Sequence, residues 1–319
     1  MLSRTADHLF WMARYTERAE NTARMLDVNY QMSLLPQAPT SSEQGWRGLL
    51  SISELTHDYH RRFDKVAARE VMDFMVRDAG NPSSIHSCLS AARENARAVR
   101  GTLTTEVWET ANTTWLEFKR LIAGGTLASD PSELFEWVKF RSHLSRGVTL
   151  GTMLQDESFH FLRIGTFLER ADNTARLLDV RFHSAQGEFF GVRDDGSEPA
   201  AADFYHWSAI LRSVSGFEVY RKVYRNVILP EKVAELLILR SDMPRSLAAC
   251  MNEVVSNLQC VANEQSADTL RRAGRLRADL SFGRIDEILA TGLHAFLTQF
   301  LDRVGDVGVG ISRDFLVPG

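Results

Sequence analysis

Lysine is scarce in this 319-residue chain: 5 of its 37 basic residues are Lys and 32 are Arg. Either genomic base composition causes this, or the fold uses the guanidinium fork for paired contacts with carboxylates or other anions. Cysteine is also sparse. Cys88, Cys250 and Cys260 show no CxxC spacing and form an odd set, which excludes a disulfide framework and reads as reduced thiols. No run approaches the roughly 18 apolar residues of a membrane span, and the opening lacks the basic-then-apolar pattern of a secretory leader. A soluble, cytoplasmic protein is expected. Net charge is only −4, so no global field draws the chain to nucleic acid or an anionic membrane. Period-two alternation is missing too, apart from weak strand candidates at Phe189-Phe190-Gly191-Val192.

Helical spacing is what the sequence has in quantity. Leu9, Met12, Ala19, Ala23 and Leu26 mark one face of a first helix, and Phe161, Ile164, Phe167, Leu168 and Leu178 mark a counterpart. Asp130-Pro131-Ser132-Glu133 is a capping box with a first-turn proline, and Asn81-Pro82 offers the same start less completely. The class is all-α.

The sequence also repeats itself. Glu17-Arg18-Ala19-Glu20-Asn21-Thr22-Ala23-Arg24-Met25-Leu26-Asp27-Val28 returns as Glu169-Arg170-Ala171-Asp172-Asn173-Thr174-Ala175-Arg176-Leu177-Leu178-Asp179-Val180, identical at ten of twelve positions. Trp46, Leu49 and Leu50 recur as Trp207, Ile210 and Leu211; Pro82, Ser84, Ile85 and Cys88 recur as Pro244, Ser246, Leu247 and Cys250. The expected architecture is a single helical-bundle domain over residues 1–319, built from two pseudo-two-fold-related repeats. Repeat one spans about 1–125, a linking helix 131–151, and repeat two 153–305. The variable loops, residues 36–45 and 186–203, are rich in Pro, Gly, Ser and acidic residues.

What survives between the copies is largely polar, whereas a repeated core alone would keep apolar residues. With 100° per residue, Glu17, Asn21, Arg24 and Val28 share a face of the first helix, and Glu169, Asn173 and Arg176 share one on its counterpart. Asn21 is placed to link Glu17 to Arg24. Arg18 and Arg170 leave that face toward a neighbouring helix or the equivalent carboxylate across the pseudo-dyad. The cluster is either a set of interhelical ion pairs fixing how the halves dock, a cavity for an anionic or zwitterionic ligand, or a protein-docking surface.

The duplicated Glu-Arg segment, the opening Met1-Leu2-Ser3-Arg4-Thr5-Ala6-Asp7-His8-Leu9-Phe10-Trp11-Met12, and Met243-Pro244-Arg245-Ser246 before a helix together resemble the bacterial alpha-E family. That family is a helical domain named for its Glu-Arg motif. The resemblance covers essentially the whole chain. It implies a gene neighbourhood with circularly permuted ATP-grasp ligases and transglutaminase-like peptidases, and a role in making or modifying small peptides. The expected function is therefore a partner or co-catalytic subunit of an ATP-grasp-type peptide ligase. The alternatives are a stand-alone enzyme using the central Glu/Arg cluster on a peptide or amino-acid ligand, and a purely structural dimerisation module. The motif carries over as a hallmark and brings no assigned catalytic residue. The first copy has Pro82-Ser83-Ser84 where the second has Pro244-Arg245-Ser246, so any role of Arg245 belongs to one half.

Other chemistry weighs less. Glu54-Leu55-Thr56-His57 and Glu157-Ser158-Phe159-His160 have the Glu-x-x-His spacing of carboxylate-bridged metal sites. They occupy non-equivalent places in the repeat, and Glu157, His160 and Glu169 would share one helix, so neither metal nor cofactor is expected. Gly147 and Gly151 are read as close helix packing, with a break exposing Thr152 and Asp156 to the cluster as the alternative. Arg271-Arg272-Ala273-Gly274-Arg275-Leu276-Arg277 reads as a solvated face, and Gly305, Gly308 and Gly310 lack the Lys-Ser/Thr of a phosphate loop.

Overall fold

The computed structural model describes residues 1–35, 39–186 and 201–316. Among these residues there are sixteen α-helices and no strand. The first half contains α1 (Ser3–Ser33), α2 (Pro39–Ile52), α3 (Thr56–His60), α4 (Ala68–Val76), α5 (Ile85–Ala98), α6 (Thr105–Ala123), α7 (Thr126–Ser129) and α8 (Pro131–Thr152). The second contains α9 (Glu157–Gln186), α10 (Ala201–Ser213), α11 (Phe217–Tyr224), α12 (Pro230–Ile238), α13 (Leu247–Cys260), α14 (Ala267–Phe282), α15 (Ile285–Thr291) and α16 (Leu293–Phe315). None is long and apolar enough to cross a membrane among the described residues.

Helices α4, α5, α6 and α8 start at 68, 85, 105 and 131; α12, α13, α14 and α16 start 162 residues later, at 230, 247, 267 and 293. Helix order therefore gives α8 a counterpart in α16 and makes it the last helix of the first half instead of a linking helix. Neighbour relations run in parallel: α1 packs on α5 and α8, and α6 on both of those, as α9 packs on α13 and α16, and α14 on both of those. Helices α1 and α9 pack on each other.

Local sequence explains the starts. Asp130 accepts from the Glu133 amide at 3.0 Å with Pro131 in the first turn. Ser84 and Ser246 accept from the Ser87 and Ala249 amides at 3.1 and 3.0 Å, capping α5 and α13. Asn81-Pro82 is thus no helix start: Asn81 Oδ1 takes the Ser83 amide at 2.9 Å in the preceding turn. Residues 36–45 are not all loop either, since α2 begins at Pro39. Residues 187–200 of the second expected loop, including Phe189 to Val192, lie outside the described residues.

Helices α1 and α9 approach closely where Gly165 meets the first helix. A Cβ there would stand 2.4 Å from the Phe10 carbonyl oxygen and 3.2 Å from the Ala13 Cβ. Gly147 and Gly151 serve no such contact. Both are exposed, α8 runs through them unbroken, and an added Cβ would meet nothing within 4 Å.

Residues 19–26 of α1 are buried without interruption. That is more than two turns, so this part of the helix has no solvent face, and the polar groups it carries need protein partners.

Candidate functional site

Glu17 and Glu20 of α1 are 1 % and 0 % exposed. Arg170 of α9 crosses to Glu17 as a two-pronged fork, Nε to Oε1 and Nη2 to Oε2, both at 2.8 Å. Arg245, in the turn before α13, donates from Nη1 to Glu17 Oε1 at 3.0 Å and to Asn21 Oδ1 at 2.8 Å, and from Nη2 to Glu20 Oε1 at 2.5 Å. Helix α8 supplies Ser142, whose hydroxyl reaches Glu20 Oε2 at 2.6 Å, and Arg146, whose Nη1 reaches Glu17 at 3.1 Å and also Glu20. Arg24 donates to Glu20 from Nε at 2.8 Å, to the Ser215 hydroxyl at 2.6 Å, and to His143 Nε2 at 2.9 Å. Arginine has no acceptor, so His143 offers that nitrogen's lone pair.

The second copy builds a smaller set. Glu169 takes Arg18 as a fork, Nε to Oε1 at 2.6 Å and Nη2 to Oε2 at 3.1 Å, and accepts from Arg14 Nε at 2.7 Å. Each Glu of the Glu-Arg motif therefore pairs with the Arg of the other copy: Glu17 with Arg170, Glu169 with Arg18. This crossed pair clamps α1 to α9.

Burial opposes ionisation of all three carboxyls, but the guanidiniums overcome it. Arg170 and Arg245 hold Glu17 below its ordinary value; Arg245 and Arg146 hold Glu20 well below; Arg14 and Arg18 do so for Glu169. The carboxylates are thus ionised and engaged, the opposite of a raised, proton-ready general acid. Cys88 and Cys250 lie beside these pairs, and burial pushes both thiols up to about 12, which makes them core residues and not nucleophiles.

A family model described as "a predicted alpha-helical domain with a conserved ER motif" matches residues 1–316. The chain belongs to the Alpha-E family. Uncharacterized proteins of Mycobacterium bovis and of Mycobacterium tuberculosis CDC 1551 are 26 % identical to it over 323 residues, covering 93 % of this chain and 35 % of theirs. A third, from Mycobacterium tuberculosis H37Rv, is 25 % identical with the same coverage. The Alpha-E chain thus spans about a third of the length of these curated relatives. No solved structure matches it.

Of the residues singled out from sequence, Glu17, Arg18, Asn21, Arg24, Glu169, Arg170 and Arg245 stand in these two networks. Asn21 does not link Glu17 to Arg24: its Oδ1 serves Arg245, and Arg24 pairs with Glu20 one turn away. Asn173 is half-buried and joins neither network; Arg176 pairs with Asp172 at 2.8 Å and Glu54 at 2.5 Å, away from them. Thr152 and Asp156 are exposed. Thr152 bonds the Val148 carbonyl and Thr104, while Asp156 caps α9 through the Ser158 amide at 2.9 Å. Among the described residues no group of three or more His, Cys, Asp or Glu could hold a metal; His160 sits against Asn257 and Glu157 against the N-terminal amine. The Arg271 to Arg277 run is a helix face tied by Arg271 and Arg272 to Asp268. Sequence reasoning missed Arg14, Glu20, Ser142, His143, Arg146 and Ser215.

Proposed function

We propose that the protein is a cytoplasmic partner subunit, non-catalytic or co-catalytic, of an ATP-grasp-type ligase in small-peptide synthesis or modification. The observation that supports a partner over a stand-alone enzyme is the state of Glu17, Glu20 and Glu169: each is held ionised by two or more guanidiniums, which leaves none of them as a free base, acid or nucleophile. The ligase comes from the family resemblance. Two further features agree with it. Phe140, Leu144, Leu150 and Leu154 are exposed along α8 and its end, the kind of surface that protein contacts use. The relatives also extend well beyond the matched region, so in them a comparable helical segment is joined to further chain.

Co-expression with the neighbouring ligase, followed by size exclusion and product analysis, tests the reading. A shared elution peak and a changed ligase yield or product are expected. Peptide ligation or hydrolysis by the purified protein alone, abolished by Glu169→Gln without loss of folding, overturns the proposal in favour of an enzyme.

A further inference from the structure

The interior joining α1, α8, α9 and the turn before α13 carries six guanidiniums (Arg14, Arg18, Arg24, Arg146, Arg170 and Arg245) against three carboxylates (Glu17, Glu20 and Glu169). Arg18 and Arg170 each spend the Nε–Nη2 fork on a carboxylate. Arg146 does not. It contacts Glu17, Glu20 and Ser142 through Nη1 alone, and among the described residues no acceptor meets its Nε or Nη2.

Arg146 lines a groove between α1, α8 and α9, with Glu17, Thr16, Thr149, Thr166 and Leu150 among its other walls. The groove offers about 40 Å³ to water-sized atoms, room for about three or four at about 10–15 Å³ of such space each. A carboxylate has three heavy atoms. The same place in the other half is filled. Residues one repeat away from Thr16, Ser145 and Thr149 are Leu168, Val307 and Ile311, which are 2 %, 1 % and 0 % exposed. Gly308 stands where Arg146 would be, and a Cβ on it would lie 3.6 Å from the Leu168 side chain. Arg14, which bonds Glu169, is replaced on this side by the shorter Thr166, and that opens the groove. A groove with polar groups among its apolar walls thus exists in one half where apolar packing closes the other.

We infer that this groove is a ligand site in which the Arg146 fork takes the carboxylate of a small molecule or peptide end. Arg146 fits the task because its Nη1 is anchored to two buried carboxylates, so the guanidinium plane is fixed before a ligand arrives. The site stands apart from the ligase partnership and needs no second protein.

Titration calorimetry on the full chain tests it, with tri-alanine, tri-alanine amide, acetate and inorganic phosphate as probes. Tri-alanine is expected to bind, and its amide at least about tenfold more weakly, the scale of one hydrogen bond to a charged group. Acetate matching tri-alanine supports the fork with a free small acid as its source; tri-alanine binding more tightly supports a peptide end. Arg146→Lys keeps a cation for Glu17 and Glu20 but has no fork, and should weaken tri-alanine by a similar factor. Leu150→Trp changes only the half-exposed rim and should weaken it without touching the ion pairs. Equal binding of acid and amide, no binding of either, phosphate preferred to every carboxylate, or tri-alanine affinity unchanged in both folded variants overturns the inference.

Discussion

Glu17 and Glu169 are the same residue in the two copies, yet their neutralisation should not cost the same. Glu17→Gln removes a charge shared by Arg170, Arg245 and Arg146, and the first two have side chains only 7 % and 6 % exposed. Glu169→Gln frees Arg14 and Arg18, whose side chains are 19 % and 27 % exposed and can turn toward water. Breaking a buried pair by removing one partner costs about 3–5 kcal/mol. The Glu17 change belongs at about 5 kcal/mol, because Arg170 loses both prongs of its fork in the interior while Arg245 keeps only Glu20, and the Glu169 change at about 3 kcal/mol or below. A domain holds only about 5–15 kcal/mol in total, so the difference is measurable and Glu17→Gln approaches unfolding. Urea melts followed by far-ultraviolet circular dichroism, with the m-value checked for constancy, give both numbers. A cycle with Arg18→Gln then isolates the crossed pair, where a coupling of about 1–3 kcal/mol is expected between Arg18 and Glu169. Equal losses for the two glutamates, or additivity in the cycle, would refute the reasoning, since either outcome means that the partners do not set the cost.

Gly165→Ala should destabilise by about 1–3 kcal/mol in the same melts, because its methyl meets the Phe10 carbonyl. Gly147→Ala, with open space around it, should gain about 0.5–1 kcal/mol; a loss there would mean that α8 is covered. Glu17, Glu20 and Glu169 are all held below their ordinary 4.5, so their stabilisation is present above that pH and lost as pH falls through the lower folded values. Melting temperature should therefore stay level from about pH 7 to 5 and drop below about pH 4.5; a fall beginning near neutrality would point elsewhere. Of the three thiols, Cys260 is exposed and should react with a disulfide reagent in the native state, whereas Cys88 and Cys250 should react only in urea. Superposing residues 1–152 of a crystal structure on 153–316 should require a rotation near 180° with α1 and α9 beside the axis; a translation or a small angle would dismiss the pseudo-dyad.

Local chemistry was legible in the sequence. The Asp130 capping box, the helical class and the apolar setting of Cys88 and Cys250 depend on neighbours a turn away, and each shows as spacing. The crossed engagement of Arg18 and Arg170 could be anticipated because both lie off the face that holds Glu17. Ser142, His143 and Arg146 were not legible, because what brings them to Glu17 and Glu20 is the packing of α8 on α1, across more than 100 residues of chain. A signal did exist. One repeat later those positions are Val304, Gly305 and Gly308, a loss of polarity that a search for preserved residues passes over. The glycines misled for the converse reason: the spacing of Gly147 and Gly151 suggests close packing, but spacing does not say whether another helix is there. Asn81 misled because an Asn-Pro pair opens turns as readily as helices, and Ser84 three residues on is the actual cap.

The burial of α1 also bears on how the chain is made. Helix α1 leaves the ribosome before α13, and Arg245 follows Glu17 by 228 residues. At about 5–20 residues per second, that partner arrives some ten to fifty seconds later. Until then two carboxylates destined for a dry interior remain in water, and α1 has no complete seat. Helix α1 is therefore made well before its seat is finished, and truncations that end before Arg245 should leave the nascent chain open to proteases and chaperones.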